Sequence, residues 1–220
     1  MRSYIKALIF DFDGTLADTI PAIAEAVNMA LDSLGFPKRS EAEIRSFIGK
    51  GPRHLMSEAL PREARESDPL LVDRALKLYD GTYAKTYMHT DRLYDGVEEA
   101  VLEPSKYYKI AVLSNKQDQY VKALVDQLLP AGICEFALGT VNGVPAKPEP
   151  GTALRLAELL GVSPHDCMLI GDSEIDILTA ENAEFDILSV SWGYSSKNKL
   201  IFKGAQDIVD TPDELLEYFK

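Results

Sequence analysis

The chain has 220 residues and a formal net charge of −12, and 46% of its residues are hydrophobic while 26% are charged. This length and composition indicate one large or two smaller folded domains and exclude a disordered chain. The acidic balance argues against nonspecific binding to nucleic acid or to an anionic membrane. We expect a cytoplasmic protein, because Cys134 and Cys167 fit no disulfide framework, no apolar stretch is long enough to span a membrane, and the N-terminal run is too short for a signal peptide.

The chain opens with an apolar run of strand length, residues 4–10, which is followed by Asp11-Phe12-Asp13-Gly14. Two carboxylates therefore leave the carboxyl end of a buried strand, which is the edge where open α/β sheets bind ligands. Asp11 and Asp13 share a face if the backbone stays extended, and Gly14 permits a turn. A bound Mg²⁺ would relieve the repulsion between two such acids. Read alone, the segment is equally typical of a strand end with solvated acids.

The next block, residues 17–90, is predicted to be entirely helical. Apolar residues recur at helical spacing, and Ser40-Glu41-Ala42-Glu43 has the pattern of a capping box. Helices are expected at about 20–34, 41–48, 53–60 and 68–87.

From about residue 93 the pattern alternates between strands and helices. Strands are expected at 108–113, 136–138, 167–170 and 187–190, and helices at 96–103, 117–129, 150–160, 175–182 and 212–219. Such alternation predicts a parallel sheet covered on both faces, to which the first strand also belongs. The predicted fold is therefore a Rossmann-like, doubly wound α/β core, residues 1–16 and 91–220, with a small all-helical domain, residues 17–90, inserted after the first strand.

Polar side chains follow further strands of the predicted sheet. Ser114-Asn115-Lys116 follows one strand, Gly171-Asp172 follows another with Asp176 one helical turn later, and Lys147 precedes a helix. Taken singly, these segments are typical of loops and helix caps. Their occurrence together, at the edge that carries the two acids, favours a functional site.

In these residues the chain resembles the haloacid dehalogenase-like hydrolase superfamily. Four motifs occur in the order of that family: Asp-x-Asp-Gly-Thr at 11–15, Ser-Asn at 114–115, Lys-Pro at 147–148 and Gly-Asp-x-x-x-Asp at 171–176. The helical block stands where that family has a small helical cap. The residues at 15–19, 49–51 and 191–194 resemble the phosphoglycolate phosphatase-like branch. Departures from the family pattern fall at Asp95, Ser114 and Glu184, and none of them is a catalytic acid.

The resemblance implies a phosphatase in which Asp11 is the nucleophile that forms an aspartyl-phosphate. It implies that Asp13 is first the general acid and then the general base. Mg²⁺ would be held by the carboxylates of Asp11 and Asp172 and by the backbone carbonyl of Asp13. Asp176 would support this metal directly or through water.

The resemblance also implies which residues contact the substrate. Ser114 and the amide of Asn115 would hydrogen-bond the transferring phosphoryl group, and Lys147 would neutralise its charge and that of Asp11. In the cap, Lys50 and Arg53 are the candidates for contacts with the organic part of the substrate, although a helix-breaking loop with exposed cations explains them equally well. The implied partner is a small phosphorylated metabolite, with 2-phosphoglycolate as the first candidate, acted on by a monomer or a homodimer.

Four hypotheses follow for the function. The first is a Mg²⁺-dependent phosphomonoesterase. The second is a pyrophosphatase, or a mutase similar to β-phosphoglucomutase, on the same scaffold. A haloacid dehalogenase is disfavoured because Asp13 and Asp172 are both present and that reaction needs no metal. The last is a non-catalytic binding protein, which the presence of all four polar motifs disfavours.

Overall fold

The computed structural model describes residues 4–90 and 92–220. These residues form two compact units, an α/β unit made of 4–18 and 92–220 and a helical unit made of 19–90. The core was predicted to begin at residue 1 and to resume at residue 91, and both of these positions lie outside the described residues.

The α/β unit contains one six-stranded parallel sheet. Its strands are β1 Ala7–Phe10, β2 Lys109–Gln117, β3 Cys134–Thr140, β4 Cys167–Gly171, β5 Asp186–Val190 and β6 Ile208–Val209, and their spatial order is β3-β2-β1-β4-β5-β6. Because β1 is flanked by β2 and β4, the direction in which the chain adds strands reverses beside β1. Ligands bind at that reversal, outside the carboxyl ends of the strands. The predicted α/β fold is confirmed.

Helices accompany every crossover of the sheet. They are α6 Val97–Leu102, α7 Asp118–Leu128, α8 Gly151–Leu160, α9 Glu174–Ala183, α10 Lys197–Phe202 and α11 Pro212–Tyr218. Every residue of β1 and of β4 is buried, as expected for parallel strands covered on both faces. Ile9 and Leu169 of these strands pack with Leu156 and Leu160 of α8 in one core cluster, so the strand ends that follow have a rigid base.

The helical unit follows β1 and contains the remaining helices. They are α1 Ile20–Ser33, α2 Glu41–Phe47, α3 Pro52–Ala59, α4 Arg62–Ser67 and α5 Leu71–Thr86. The predicted capping box at the start of α2 is present, with the Ser40 and Glu43 side chains each bonded to the backbone of the other. The Thr82 hydroxyl of α5 donates to the carbonyl of Ala26 in α1 at 2.9 Å. No helix in the described ranges is both long and apolar enough to cross a membrane.

The sequence prediction differs from the structure in four elements. It omitted α4, α10 and β6, which are six, six and two residues long and too short to show a clear period. It also ended β2 at Leu113, whereas the strand continues to Gln117 with a register shift between these two residues. Ser114, Asn115 and Lys116 therefore lie inside an irregular strand rather than after a regular one.

Candidate active site

Four of the predicted site residues converge at the carboxyl edge of the sheet. Asp11 follows β1, Asp172 follows β4, Asp176 lies in the first turn of α9, and Lys147 lies shortly before α8. All four are buried. The central position of β1 explains their proximity, because the ends of neighbouring parallel strands meet at one edge.

Lys147 is the cation at the centre of this group. Its ammonium nitrogen lies 2.6 Å from Oδ1 of Asp176 and 3.0 Å from Oδ1 of Asp11, and its side chain is only 3% exposed. Burial disfavours the charged ammonium, but the carboxylates of Asp11 and Asp176 outweigh it and raise the pKa of Lys147. The paired carboxylates therefore keep Lys147 in its charged form at neutral pH.

Asn115 holds the backbone of Lys147 in place. Its side-chain amide donates to the Lys147 carbonyl at 2.8 Å, and its side-chain oxygen accepts from the Lys147 N–H at 2.8 Å. The side-chain amide of Asn115 is thus engaged with the Lys147 loop. The contact of the Asn115 amide with a phosphoryl group stays a prediction.

The three buried carboxylates form a cluster that suits a hard cation. Oxygens of Asp11, Asp172 and Asp176 all lie within 4.8 Å of one another. Burial, assisted by the neighbouring carboxylates and opposed by the charge of Lys147, raises the pKa of Asp11 to about 8 and that of Asp172 to about 7. These closely spaced carboxyl groups are difficult to ionise without a cation. They suit Mg²⁺, because Mg²⁺ binds oxygen ligands and neutralises the charge of the carboxylates. The carboxylate of Asp13 is not part of this cluster.

Asp176 is held at both of its carboxylate oxygens. Oδ1 accepts from Lys147, and Oδ2 accepts from the Ser173 hydroxyl at 2.6 Å and from the Ser173 backbone N–H at 3.1 Å. Ser173 and Asp176 form the capping box that begins α9. The start of this helix therefore fixes Asp176 against Lys147.

Asp172 is held by the turn after β1 and by the loop after β5. Its Oδ2 accepts from the Tyr194 backbone N–H at 2.5 Å, and its Oδ1 accepts from the Thr15 hydroxyl at 3.3 Å. A Cβ atom on Gly193 would lie 2.2 Å from the Gly14 carbonyl oxygen and 2.4 Å from Oδ2 of Asp172. Only glycine at this position allows the loop to approach Asp172 so closely.

Asp13 has a cation of its own, which the sequence analysis did not assign. Its Oδ1 lies 2.8 Å from the ammonium nitrogen of Lys116, and the two side chains are 12% and 5% exposed. The sequence suggested that Asp11 and Asp13 share one face and one cation. In the structure each of the two carboxylates also has a lysine of its own, since Lys147 pairs with Asp11 and Lys116 pairs with Asp13.

The remaining predicted residues are not members of these ion pairs. Ser114 is buried beside Lys116 and accepts a hydrogen bond from its backbone N–H at 3.2 Å. Lys50 and Arg53 belong to the helical unit. Lys50 is exposed, and Arg53 forms an exposed ion pair with Asp73 at 2.6 Å.

Four contributing residues were not assigned a role from the sequence. Ser173 was detectable, because Ser-x-x-Asp before a helix has the pattern of a capping box. Thr15 was within the first motif, but its bond to Asp172 joins residues 157 positions apart and leaves no local pattern. Lys116 and the backbone of Tyr194 act through contacts that depend on the irregular course of β2 and on the loop after β5.

Comparison with known proteins places this site in a family. Residues 8–190 match the family model of the haloacid dehalogenase-like hydrolases. The chain is 30% identical to a phosphoglycolate phosphatase of Vibrio parahaemolyticus, over 97% of this chain and 95% of that protein. It is 35% identical to a phosphoglycolate phosphatase of Nitrosospira multiformis, over 87% of this chain and 85% of that protein.

A solved structure agrees with this placement. A protein from Lactobacillus delbrueckii subsp. bulgaricus, assigned as a phosphoglycolate phosphatase, superposes with a TM-score of 0.87 at 34% identity and covers 97% of this chain and 98% of its own. The chain belongs to the haloacid dehalogenase-like hydrolases. Its relatives named phosphoglycolate phosphatase are about 30% identical over nearly the full chain.

Proposed function

We propose that this protein is a Mg²⁺-dependent phosphatase that hydrolyses a small phosphomonoester through an aspartyl-phosphate on Asp11. The observation that carries the proposal is the buried group of Asp11, Asp172, Asp176 and Lys147 at the carboxyl edge of the sheet. A fold buries four charged groups together at a cost of several kcal/mol per ion unless they compensate one another. Membership of the haloacid dehalogenase-like hydrolases supports hydrolysis as the reaction that these four residues carry out.

Asp11 is the proposed nucleophile. Its Oδ1 accepts from the Phe12 N–H at 2.7 Å and pairs with Lys147. In the proposed first step the other oxygen, Oδ2, forms a bond to phosphorus while the bond between phosphorus and the ester oxygen breaks. Asp13 gives its proton to the departing oxygen, so that the product leaves as an alcohol.

The second step returns the enzyme to its starting state. A water molecule attacks phosphorus, the bond to Asp11 breaks, and Asp13 takes the proton of the water. Ser114, the backbone amide of Asn115 and Lys147 bind the transferring phosphoryl group, whose equatorial oxygens carry most of the charge in the transition state. When bound, Mg²⁺ would neutralise the same oxygens together with the acid cluster.

The proposed metal ligands are the carboxylates of Asp11 and Asp172 and the backbone carbonyl of Asp13. Asp172 suits this role because the Tyr194 N–H and the Thr15 hydroxyl fix its orientation. Protein groups already hold both oxygens of Asp176. Both oxygens of Asp172 are held as well, so this difference does not separate the two residues, and we propose that Asp176 supports the metal directly or through water.

The first candidate substrate is 2-phosphoglycolate, which is supported by the names of the relatives with 30% and 35% identity. The helical unit is proposed to select the organic part of the substrate, with Lys50 and Arg53 as the cations that would meet a carboxylate. Discrimination between small phosphomonoesters rests on few contacts, so related substrates differ by only a few kcal/mol in transition-state binding.

The test is phosphate release from a panel of phosphomonoesters, sugar phosphates and pyrophosphate, with Mg²⁺ or with EDTA. We expect turnover of a small phosphomonoester that requires Mg²⁺ and falls by at least about 10⁴-fold in Asp11→Asn, because the nucleophile is lost. Asp126→Asn, which neutralises an exposed acid of α7, is the matched control and should leave turnover unchanged.

Other outcomes would redirect the proposal. Turnover of pyrophosphate alone would indicate a pyrophosphatase, and conversion of a sugar phosphate to its isomer without phosphate release would indicate a mutase. Undiminished turnover in Asp11→Asn would exclude the aspartyl-phosphate.

A further inference from the structure

Lys116 is a buried charged residue that the reaction proposed above does not use. Its side chain is 5% exposed, and its ammonium nitrogen lies 2.8 Å from Oδ1 of Asp13, whose side chain is 12% exposed. A lysine is rarely buried to this degree unless it is paired, because its ammonium loses its hydration. The pair therefore fixes the position of whichever partner is less firmly held.

The fold holds Lys116 firmly. Lys116 lies in the irregular part of β2, where Leu113 pairs with Leu138 but Gln117 pairs with Thr140. Four positions of β2 thus span two positions of β3, which is a bulge, and bulges near active sites change the direction of side chains.

The backbone of Lys116 is also fixed by neighbouring groups. Its N–H donates to the Ser114 hydroxyl at 3.2 Å, and its carbonyl accepts from the Thr140 hydroxyl at 3.3 Å. A Cβ atom on Gly139 would lie only 2.5 Å from the Lys116 carbonyl oxygen, so β3 packs directly against this residue. Lys116 consequently extends to Asp13 from a rigid base.

We propose that Lys116 is a positioning residue that holds the Asp13 carboxylate where it exchanges a proton with the leaving and attacking oxygens. This proposal rests on the function proposed above. Lys116 keeps its own proton and donates a hydrogen bond to Oδ1 of Asp13 throughout. The proton that passes to the leaving oxygen, and later returns from water, is carried by Oδ2 of Asp13. Lys116 acts through Asp13 and not on the phosphoryl group.

Leaving-group dependence distinguishes this role from a purely structural one. An alkyl phosphomonoester releases a strongly basic alkoxide unless an acid protonates it, whereas p-nitrophenyl phosphate releases a stable anion that needs no proton. Release of each leaving group is measured in a single turnover with Mg²⁺, and KM is measured at steady state. The variant is Lys116→Met, which keeps the length of the side chain and removes its charge.

We expect Lys116→Met to slow release from the alkyl ester by about 10²-fold and release from p-nitrophenyl phosphate by less than about 10-fold. KM should change little, because the proton transfer that Lys116 supports occurs in the transition state and not in substrate binding. Lys122→Met is the matched control, since Lys122 pairs with Asp118 in the same unit but is 53% exposed. It should behave like the wild type with both substrates.

The double variant keeps the proposal testable if Lys116→Met alone does not fold. Asp13→Asn with Lys116→Met removes both charges of the pair, so no buried charge is left without a partner. If Lys116 acts only through Asp13, the double variant should match Asp13→Asn within about twofold with the alkyl ester. A further large loss in the double variant, or equal losses with both substrates in Lys116→Met, would overturn the proposal. Failure of the wild type to release either leaving group would instead overturn the proposed function.

Discussion

Among the residues that the structure describes, the α/β unit buries charged side chains and the helical unit does not. The charged residues that are buried among those described are Asp11, Lys116, Lys147, Asp172 and Asp176, and all of them belong to the α/β unit. The polar side chains buried in the helical unit are Thr19, Thr82, Thr86 and Thr90. Threonine can be buried at little cost, because one hydrogen bond satisfies its hydroxyl, as the bond from Thr82 to Ala26 does.

This difference separates residues kept for chemistry from residues kept for folding. A buried ion pair is often no more stabilising than apolar residues of the same volume, so stability alone does not explain five buried charges at one sheet edge. The ion pairs of the helical unit, such as Arg62–Glu66 with side-chain exposures of 80% and 62%, contribute little to stability. The constraint therefore falls on the five buried charges of the α/β unit and not on exposed ion pairs of either unit.

The largest expected effect is that of breaking the buried Lys147 cluster. Lys147→Met leaves Asp11 and Asp176 buried without their cation, and we expect the free energy of unfolding to fall by about 3–5 kcal/mol. Urea denaturation without Mg²⁺ measures this change. Arg62→Met is the matched control in the helical unit and should lower the free energy of unfolding by no more than about 0.5 kcal/mol. Similar losses in the two variants would remove the distinction between the units.

The second effect is a pH dependence of stability that originates in the α/β unit. Without metal, burial raises the pKa of Asp11 to about 8 and that of Asp172 to about 7, both from 3.8. Between pH 3.8 and these raised pKa values, the two carboxyl groups bind more protons in the folded state than in the unfolded state. The stabilisation is therefore complete below 3.8 and is lost as the pH rises through about 7 to 8. The melting temperature in EDTA should fall over this range, and it should fall less steeply in Asp172→Asn.

Mg²⁺ should reverse this loss, because it binds the ionised carboxylates in competition with protons. At a concentration of about 100 Kd it stabilises the folded state by about 2.7 kcal/mol, and the rise in melting temperature should be larger at about pH 8 than at about pH 6. An equal rise at both pH values would show that these carboxylates are not the groups that titrate.

Much of the fold was predictable, because its strands and most of its helices have clear periodicity. β1 and β4 are continuous apolar runs, and the capping box at Ser40 marks the start of α2. The elements that were missed, such as β6 with two residues, are too short to show a period. The formation of these short elements depends on tertiary contacts, which a local sequence pattern does not reveal.

The candidate site was predictable to the extent that its residues stand at strand ends. Asp11, Asp172 and Lys147 could be brought together from topology alone. The pairing of Lys116 with Asp13 could not, because it requires the bulge in β2 between Leu113 and Gln117. A regular strand was expected to end before Lys116, and a lysine in a loop is usually solvated.

The smallest expected effect concerns backbone conformation in the α/β unit, at a position away from its buried charges. Glu184 ends α9 with a φ of 58°, in the left-handed region that favours glycine. Its contact with His165, at 3.3 Å between side chains that are about 70% exposed, contributes little stability. Because a residue with a side chain is disfavoured there by about 1–2 kcal/mol, we expect Glu184→Gly to raise the free energy of unfolding by about 1 kcal/mol without changing turnover.

Glu181→Gly is the matched control for this substitution. Glu181 is exposed one turn earlier in α9, where the backbone is a right-handed helix. The same chemical change should lower the free energy of unfolding there by about 1 kcal/mol, because glycine is a poor helix former. Urea denaturation of the two variants side by side should give shifts of opposite sign. Shifts of the same sign would mean that the lost negative charge, and not the backbone conformation at Glu184, controls stability at the end of this helix.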